Sequence, residues 1–476
     1  MAGRGTVGAP GGAPMGGPGG PPMGSNRPSL RKAMFVFQYR YYRLLWLSSA
    51  FSFTGMQMQM VARALLAWQL TGSYGAIGMI SLSFGLPMLL FSLIGGAMSD
   101  RMEKRNLVLA TQVMNAVLAI AHAVPVATGS MTIELLFVLG LLQGTGFALG
   151  MPARTPLMAD AVGRENMMAA IAMSNAAMNA TRLFGPALAG MMVAVWGIES
   201  AYFAQAGLNT LSAVVILFVP TGLAAMSGAR QMGQRVQGSM FVEIGRGLRY
   251  VATQPRVRLL MGMMFVVSLF AMPYVMLLAG FVQEDLGQGE EAYGWLQSIS
   301  GIGAIVASVA VAAFTDFDRK PMIQWATGIM GGLSLVALGL GSSAFGFPGA
   351  VVAVVLLGLW LTAYQTLNNT MVMDEADPEY YGRVMSVNML TFSVMPLMAV
   401  PLGALADMIG AAKMFGIMGG IVVVVVLLTS VVNPRYTFGR QERRDYSTPP
   451  SDAIPGGGRP PAPVGGPAGG GGGGGA

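Results

Sequence analysis

Long apolar runs, separated by short polar segments, recur along the chain from about residue 43 to residue 433. Each run contains about 20 residues or more, which is the length that an α-helix needs to cross a bilayer. The pattern predicts an all-α membrane protein with twelve transmembrane helices. The predicted spans, in order, are roughly 43–68, 74–98, 104–126, 131–151, 167–193, 200–219, 257–282, 292–315, 321–341, 348–373, 381–408 and 412–433.

One polar segment, about 220–256, is longer than the other loops and divides the spans into six plus six. Within it, Phe241, Ile244, Leu248 and Val251 fall on one face of a helix, while the charged residues lie elsewhere. This arrangement predicts an amphipathic helix at the membrane surface.

The chain is therefore expected to consist of two six-helix bundles, a linker between them and a Gly/Pro-rich tail on each side. Both tails are too poor in apolar residues to form a core and should be disordered. The expected boundaries are 1–40 for the first tail, 41–220 for the first bundle, 221–256 for the linker, 257–433 for the second bundle and 434–476 for the second tail.

The two halves repeat some residues at matching places. Asp100 and Lys104 recur as Asp316 and Lys320, 216 residues later, in the loop between the second and third span of each half. Coincidence is the alternative, but ordered matches in equivalent helices favour an ancient duplication. A second set, 213 residues apart in the fifth span of each half, pairs Asn175 with Asn388 and Gly190 with Gly403.

Composition narrows the function classes. Only 10% of the residues are charged and 54% are hydrophobic, whereas soluble proteins have roughly 25% charged residues. The chain has no cysteine and one histidine, which argues against disulfides, a metal site and a catalytic constellation. It also lacks a GxxxxGK[ST] phosphate loop, so ATP-driven transport is not expected. We therefore expect neither an enzyme nor a cofactor or metal.

The basic residues indicate the orientation. Nearly all of them fall in the tails, the linker and alternate loops, whereas Glu199, Glu284, Asp285, Glu290 and Glu291 fall in the opposite loops. The positive-inside rule therefore predicts that both termini are cytoplasmic. The net charge of +7 is explained by this orientation and by anionic lipid head groups, without a nucleic-acid partner.

A charged segment between the second and third spans, "GGAMSDRMEKR" at 95–105, resembles the loop 2–3 signature of the major facilitator superfamily. Glu103 stands where that signature has glycine. Residues 151–190, 68–80 and 380–390 are similar to the branch that holds the enterobactin exporter and the macrolide-efflux proteins. The residues that carry the loop signature are Gly96, Asp100, Arg101, Lys104 and Arg105.

The resemblance implies the major facilitator fold, with two pseudo-symmetric six-helix bundles, and secondary active transport by alternating access. It favours a monomer that exports an amphipathic small molecule, drug or siderophore-like, across the cytoplasmic membrane of a prokaryote. An importer or facilitator of the same fold, and a non-transporting scaffold or sensor, remain alternatives. The substrate and the coupling ion, for which protons are the candidate, stay open.

In that family the loop between spans two and three contacts span eleven when the cytoplasmic side is closed. By similarity we expect Asp100 and Arg101 to meet "DPEYYGR" at 377–383, where Asp377 is the predicted N-cap. A simple positive-inside anchor is the alternative. Other residues assigned to the same gating set are Arg154, Asp160, Arg164, Asp316, Lys320 and Arg383.

Span five contains "GPALAG", which partly resembles a motif associated with antiporters. Gly185, Pro186 and Gly190 are its conformational candidates, because proline bends a helix and glycine permits close packing. Ordinary helix packing is the alternative.

Polar residues inside spans mark the candidate binding cavity. Arg63 and Arg182 are the most informative, because an unpaired charge in lipid costs several kcal/mol; an outward-snorkelling Arg63 is the alternative. For the amides the alternative is interhelical hydrogen bonding. The cavity candidates are Gln59, Arg63, Asn175, Asn179, Arg182, Gln365, Asn368 and Asn388, and the weaker proton-coupling candidates are Glu134, His122 and Asp374.

Overall fold

The computed structural model describes residues 34–163, 166–223, 240–313, 319–377 and 380–434. Within these ranges all regular secondary structure is helical. Arg164, Asp316 and nearly all of both tails predicted to be disordered lie outside the described residues.

The first half begins with a short 3₁₀ turn, Phe35–Gln38. Ser73 and Thr132 cap the second and fourth helices, because their hydroxyls accept hydrogen bonds from the backbone N–H groups of Ala76 and Leu135. The helices are α1 (Arg40–Thr71), α2 (Tyr74–Arg101), α3 (Lys104–Ala127), α4 (Ile133–Val162), α5 (Met167–Trp196) and α6 (Ile198–Leu217).

The linker contains one helix, α7 (Met240–Thr253). The helices of the second half are α8 (Pro255–Phe270), α9 (Tyr274–Glu284), α10 (Glu290–Ala313), α11 (Lys320–Glu375), α12 (Tyr381–Ile409) and α13 (Ala411–Val432).

These helices follow the predicted spans in order, with two corrections. The predicted seventh span is not one helix: it divides into α8 and α9, because Pro273 has no N–H to continue the ladder. The predicted ninth and tenth spans are joined in α11, which is interrupted by a non-helical Gly346 at φ 60°.

Nine helical segments among the described residues are both long and apolar enough to cross a membrane. They do not include α1 and α5, whose polar residues lower their mean hydropathy, or α12, of which Val394–Ile409 is the apolar part. The all-helical architecture is confirmed among the described residues, while the count of twelve crossings stays a prediction.

The halves meet along two helix pairs, α2 with α12 and α5 with α10. Within the first half, α2 packs on α4, and α6 packs on both α1 and α3. The interior is filled by aliphatic residues and by fully buried aromatics such as Tyr202, Phe281 and Tyr364.

The predicted linker helix is present, but the expected apolar face is only partly correct. Tyr250 and Val251 are buried against the second half, whereas Leu248 is 49% exposed. The side chains of Phe241 and Ile244 lie outside the described residues. The helix therefore packs on α12 and α8 as well as presenting a surface.

Candidate transport pathway and its two ends

The bundle has two chemically different ends. At one end the loops carry Glu199, Glu284, Asp285, Glu290 and Asp407, and we call this the acidic end. At the opposite end, the basic end, are Arg101, Lys104, Arg105, Arg256 and Lys320.

At the acidic end the C-terminal part of α12 caps the N-terminus of α2 in the other half. Asp407 accepts hydrogen bonds from the backbone N–H of Tyr74 (2.6 Å) and of Gly75 (3.0 Å), and from the Ser73 hydroxyl (2.8 Å). A carboxylate is favoured there because the first N–H groups of a helix are unpaired and carry partial positive charge.

The neighbouring side chains extend this contact between halves. The Tyr74 hydroxyl donates to Glu284 Oε2 (3.0 Å) and lies 3.4 Å from Asp285 Oδ2. Burial and the adjacent Glu284 charge raise the pKa of the Asp285 carboxyl above its usual value. In addition, the Gln69 amide donates to Glu290 Oε1.

Glycines let the backbones touch near the acidic end. A Cβ at Gly78 would lie 2.4 Å from the carbonyl oxygen of Ala399, and one at Gly85 would lie 2.4 Å from Pro396 Cγ. Such overlaps mean that α2 and α12 are in direct contact along this part of their length.

The "GPALAG" segment forms the second contact. A Cβ at Gly190 would lie 2.9 Å from Gly294 Cα in α10, and one at Gly294 would lie 2.6 Å from the Pro186 carbonyl oxygen. Gly185 is buried against Gln57 of α1. The motif therefore serves close packing, and two of its three residues do so between the halves.

Toward the basic end the same face of α2 separates from its neighbour. Gly78, Gly85 and Gly96 fall on one face of the helix, because seven and eleven residues are close to whole numbers of turns. A Cβ at Gly96 would meet no heavy atom within 4 Å among the described residues. Among the described residues, α2 is therefore in close contact with α12 at Gly78 and Gly85 but has no close neighbour at Gly96.

Lys104 and Lys320, at the basic end, each form an ion pair with a helix of their own half. Lys104 Nζ lies 2.7 Å from Asp160 Oδ2 in the first half, and Lys320 Nζ lies 2.8 Å from Asp374 Oδ2 in the second. Of the predicted gating set, Arg154 instead contacts α1, where its Nη2 donates to Ser52 Oγ at 2.9 Å.

The expected partner of Asp100 is held by the linker helix in this state. The Tyr250 hydroxyl donates to Asp377 Oδ2 (3.0 Å) and accepts from the Asp377 N–H (2.9 Å). Because α12 begins at Tyr381, Asp377 is not its N-cap, contrary to the prediction. Arg101 is exposed, and the side chain of Asp100 lies outside the described residues.

Aromatic stacking completes this attachment. The Tyr250 and Tyr380 rings stack with centroids 4.1 Å apart, and the Arg383 guanidinium lies 5.0 Å from the Tyr380 ring centroid. Sequence reasoning missed Tyr250, although a tyrosine on the apolar side of an amphipathic helix was a usable signal.

The α2–α3 loop is fixed to the end of α6. Glu103, the residue in place of the usual glycine, accepts a hydrogen bond from the Gly222 N–H at 2.9 Å. Arg105 donates to the carbonyl oxygens of Val219 and Leu217, both at 3.1 Å. These contacts belong to the first half alone.

A column of buried polar side chains runs through the first half. The Gln59 amide donates to Gln143 Oε1 beside a cavity of about 20 Å³, room for about one water molecule. Arg63 is 7% exposed and lies 4.7 Å from the centroid of the Phe84 ring, so it does not snorkel outward. Its Nη1 has no hydrogen-bond partner among the described residues.

The candidate cavity residues on α5 are exposed, unlike Gln59 and Arg63. Asn175, Asn179 and Arg182 share one face of α5 and are all solvent-accessible. Arg182 lies within electrostatic range of Tyr274, at the break between α8 and α9 in the other half. This face therefore borders the space between the halves.

The candidates in the second half form hydrogen bonds between helices. Asn368 Nδ2 donates to the Leu260 carbonyl at 3.0 Å, and Asn388 Nδ2 donates to Asn369 Oδ1 at 3.0 Å. Gln365, which lies on α11 with Asn368 and Asn369, is partly exposed.

The three proton-coupling candidates have different surroundings. Glu134 is exposed in the first turn of α4, and Asp374 is ion-paired at the basic end. His122 is fully buried; its Nδ1 lies 2.7 Å from the Leu118 carbonyl, and its ring stacks on Tyr202 at 5.0 Å. Glu134 and His122 therefore lie toward the acidic end, and Asp374 lies at the basic end.

Comparison with known families agrees with this architecture. The sequence profile described as "transmembrane secretion effector", a group of major facilitator transporters, matches residues 33–449. The chain belongs to this family. Its members are membrane transporters and not enzymes, which implies a small-molecule substrate and a multi-pass position in a membrane.

Relatives within the superfamily are distant but matched over most of their length. Macrolide efflux protein A of Streptococcus pyogenes is 22% identical over 82% of this chain and 95% of its own. The enterobactin exporter EntS of Escherichia coli O1:K1 is 23% identical over 82% and 91%. The crystal structure of the nucleoside transporter NupG superposes with a TM-score of 0.65 at 14% identity, covering 82% of this chain and 98% of that one. This likeness shows the fold.

Proposed function

We propose that the chain is a secondary active exporter of amphipathic small molecules, and that the structure is its cytoplasm-facing state. The observation that carries the proposal is the asymmetric contact between halves. Asp407 closes the acidic end, while Gly96 faces open space at the basic end. The positive-inside rule assigns the open, basic end to the cytoplasm, with both termini on that side.

The direction of transport is supported by the relatives. Macrolide efflux protein A and the enterobactin exporter carry export in their names, and both align with most of this chain. A pump that loads from the cytoplasm or the inner leaflet must expose its pathway to the basic end.

Substrate contact is assigned to the space between the halves. Asn175, Asn179 and Arg182 border it from α5, and Arg182 supplies a cation for an anionic group on the substrate. These side chains provide one exposed cation and two amides among helices rich in apolar residues. Such a combination of polar and apolar surface suits an amphipathic molecule.

Alternating access follows from two contacts that use the same helix pair. Asp407, in the last turns of α12, caps the start of α2 at the acidic end. Asp100, in the last turn of α2, would meet the start of α12 at the basic end by the family resemblance. When α2 and α12 are in contact at one end, they are apart at the other. The Asp407 contact and the Asp100 contact would therefore not form at the same time.

The test is a growth-inhibition panel in an efflux-deficient bacterium that expresses the chain. Macrolides, cationic dyes and siderophores are the first compounds, and cells with the empty vector are the comparison. We expect raised resistance to at least one compound. No change for any compound, with normal membrane levels of the protein, would contradict the proposal.

Purified protein in liposomes separates the directions. An exporter driven by protons moves substrate against its gradient only when a pH gradient is imposed. Movement down the substrate gradient alone would identify a facilitator, and no movement of any compound would favour a scaffold.

A further inference from the structure

A groove lies between α8 and α13 at the basic end of the second half. It has a volume of about 560 Å³, which is in the range of sites for small ligands. Polar residues line the groove at its rim, toward the basic end, and apolar residues line its floor, further along the two helices. The residues that matter are Arg256 and Arg258 at the rim, Gly262, Val266 and Val425 on the floor, and Thr429 between them.

The rim presents two guanidinium groups. Arg256 Nη1 pairs with Glu375 Oε1 at 3.2 Å, yet its side chain is 54% exposed. Arg258 is exposed, and its Nη1 donates to the Ala252 carbonyl oxygen at 3.0 Å. A guanidinium has five N–H donors, so this contact leaves donors on Arg258 for an anion.

The floor continues onto surface that faces lipid. A Cβ at Gly262 would meet no heavy atom within 4 Å among the described residues, so the groove is open there. On α13, Leu428 and Val432 are 54% and 71% exposed. A groove with two arginines at its rim and an apolar floor, bordered by exposed leucine and valine, has the polarity of a lipid.

The equivalent helices of the first half pack more closely among the described residues. There α1 and α6 occupy the positions of α8 and α13, and they pack closely. The hydroxyls of Ser48 and Ser212 are 2.7 Å apart, and a Cβ at Gly55 would lie 3.3 Å from Gln205 Cγ. The groove is therefore a departure from the pseudo-symmetry of the fold.

We infer that this groove binds an anionic phospholipid of the membrane leaflet at the basic end. The phosphate group lies against Arg256 and Arg258, and one acyl chain follows Gly262, Val266 and Val425. Charge complementarity selects this occupant, because the cytoplasmic leaflet supplies anionic head groups and basic pockets between transmembrane helices bind them. A soluble anion would leave the apolar floor uncovered.

The experiment is native mass spectrometry of the full chain in detergent, titrated with phosphatidylglycerol or with phosphatidylcholine of the same acyl chains. Arg258→Gln removes rim charge, and Gly262→Leu places a side chain on the floor at a position where a Cβ meets no heavy atom within 4 Å among the described residues. Arg249→Gln, at an exposed position of α7, makes the same charge change at the same end of the protein and serves as the control.

The wild type should bind phosphatidylglycerol at least fivefold more tightly than phosphatidylcholine. Arg258→Gln should lose that preference, Gly262→Leu should weaken binding of both lipids, and Arg249→Gln should match the wild type. Thermal unfolding of each variant shows that the fold is kept. Equal loss in Arg249→Gln would mean unspecific charge attraction and would overturn the site.

Two further outcomes would also overturn it. If Gly262→Leu binds lipid as the wild type does, no acyl chain occupies the floor. If millimolar inorganic phosphate displaces the lipid completely, the rim is a phosphate site and not a phospholipid site.

Discussion

Asp407 accepts a 2.6 Å hydrogen bond from the backbone N–H of Tyr74, and the two residues belong to different halves of the molecule. One carboxylate thus joins the end of α12 to the beginning of α2. Its other oxygen is shared by Ser73 and Gly75. The acidic end is held closed by hydrogen bonds that need no partner from outside the chain.

Asp407→Asn should open the acidic end. The change removes the negative charge that the start of α2 favours, and hydrogen bonds to charged groups contribute about 1.5–3 kcal/mol each. Because Asp407 is exposed, we expect the lower part of that range, or about a tenfold population shift.

The measurement is electron–electron double resonance between labels at Ser130→Cys and Met408→Cys, which lie at the acidic end of opposite halves. The chain has no native cysteine, so labelling is confined to these sites. Glu291→Gln is the matched control, because it removes an exposed carboxylate at the same end. An unchanged distance distribution in Asp407→Asn would contradict the role.

Gly190→Ala should also disfavour closure, through sterics. The new methyl group would lie 2.9 Å from Gly294 Cα, so α5 and α10 must separate. We expect slower transport and a longer label-to-label distance. Gly207→Ala in α6 is the control, since its methyl group meets nothing within 4 Å among the described residues; similar effects of both variants would mean that helix propensity is responsible.

The acidic end should close further as the outer pH falls. The pKa of Asp285 is raised in the closed state by burial and by Glu284. A carboxyl with a raised pKa favours its state when protonated, so closure strengthens as pH falls through that pKa. Closure should therefore depend on pH in the range from about 4, the ordinary pKa of aspartate, up to the raised pKa of Asp285.

Distance distributions at a series of pH values test this. Asp285→Asn should resemble the protonated wild type at every pH and lose the dependence, while Glu291→Gln, an exposed neighbour, should keep it. A pH dependence that survives Asp285→Asn would assign the titration to another group.

Tyr250→Phe should loosen the linker helix. The substitution keeps the ring that stacks on Tyr380 and removes the hydroxyl that makes two hydrogen bonds with Asp377. We expect faster hydrogen–deuterium exchange across 240–253 and around 377. Exchange that stays at the wild-type rate would mean that stacking alone holds the helix.

Arg182→Gln should lower the apparent affinity for anionic substrates at least fivefold more than the apparent affinity for neutral ones. The reason is that Arg182 is exposed toward the space between the halves. Arg182→Lys, which keeps the charge, should recover most of the difference. Equal losses for anionic and neutral compounds would indicate a structural role.

Local pattern predicted the helices well, because apolar length and period are properties of short segments. Pro273 could have revealed the α8–α9 break, since proline removes a backbone donor. The Asp407–Tyr74 contact could not be predicted, because it joins residues 333 positions apart and depends on which end of the bundle is closed.

The arginines show the same limit. Arg63 and Arg182 both looked like charges in apolar spans, yet one is buried within the first half and the other is exposed between the halves. Helical period fixes which residues share a face, but packing decides what that face meets.

The break between α8 and α9 gives the acidic end a movable part. Pro273 interrupts the backbone ladder, and the eleven-residue α9 beyond it contacts the first half where Gly280 meets the Trp68 ring and Glu284 meets Tyr74. Tilting α9 disturbs few hydrogen bonds of α8. The seventh span can therefore act as a hinged flap, which would admit an occluded intermediate without rotation of a whole half.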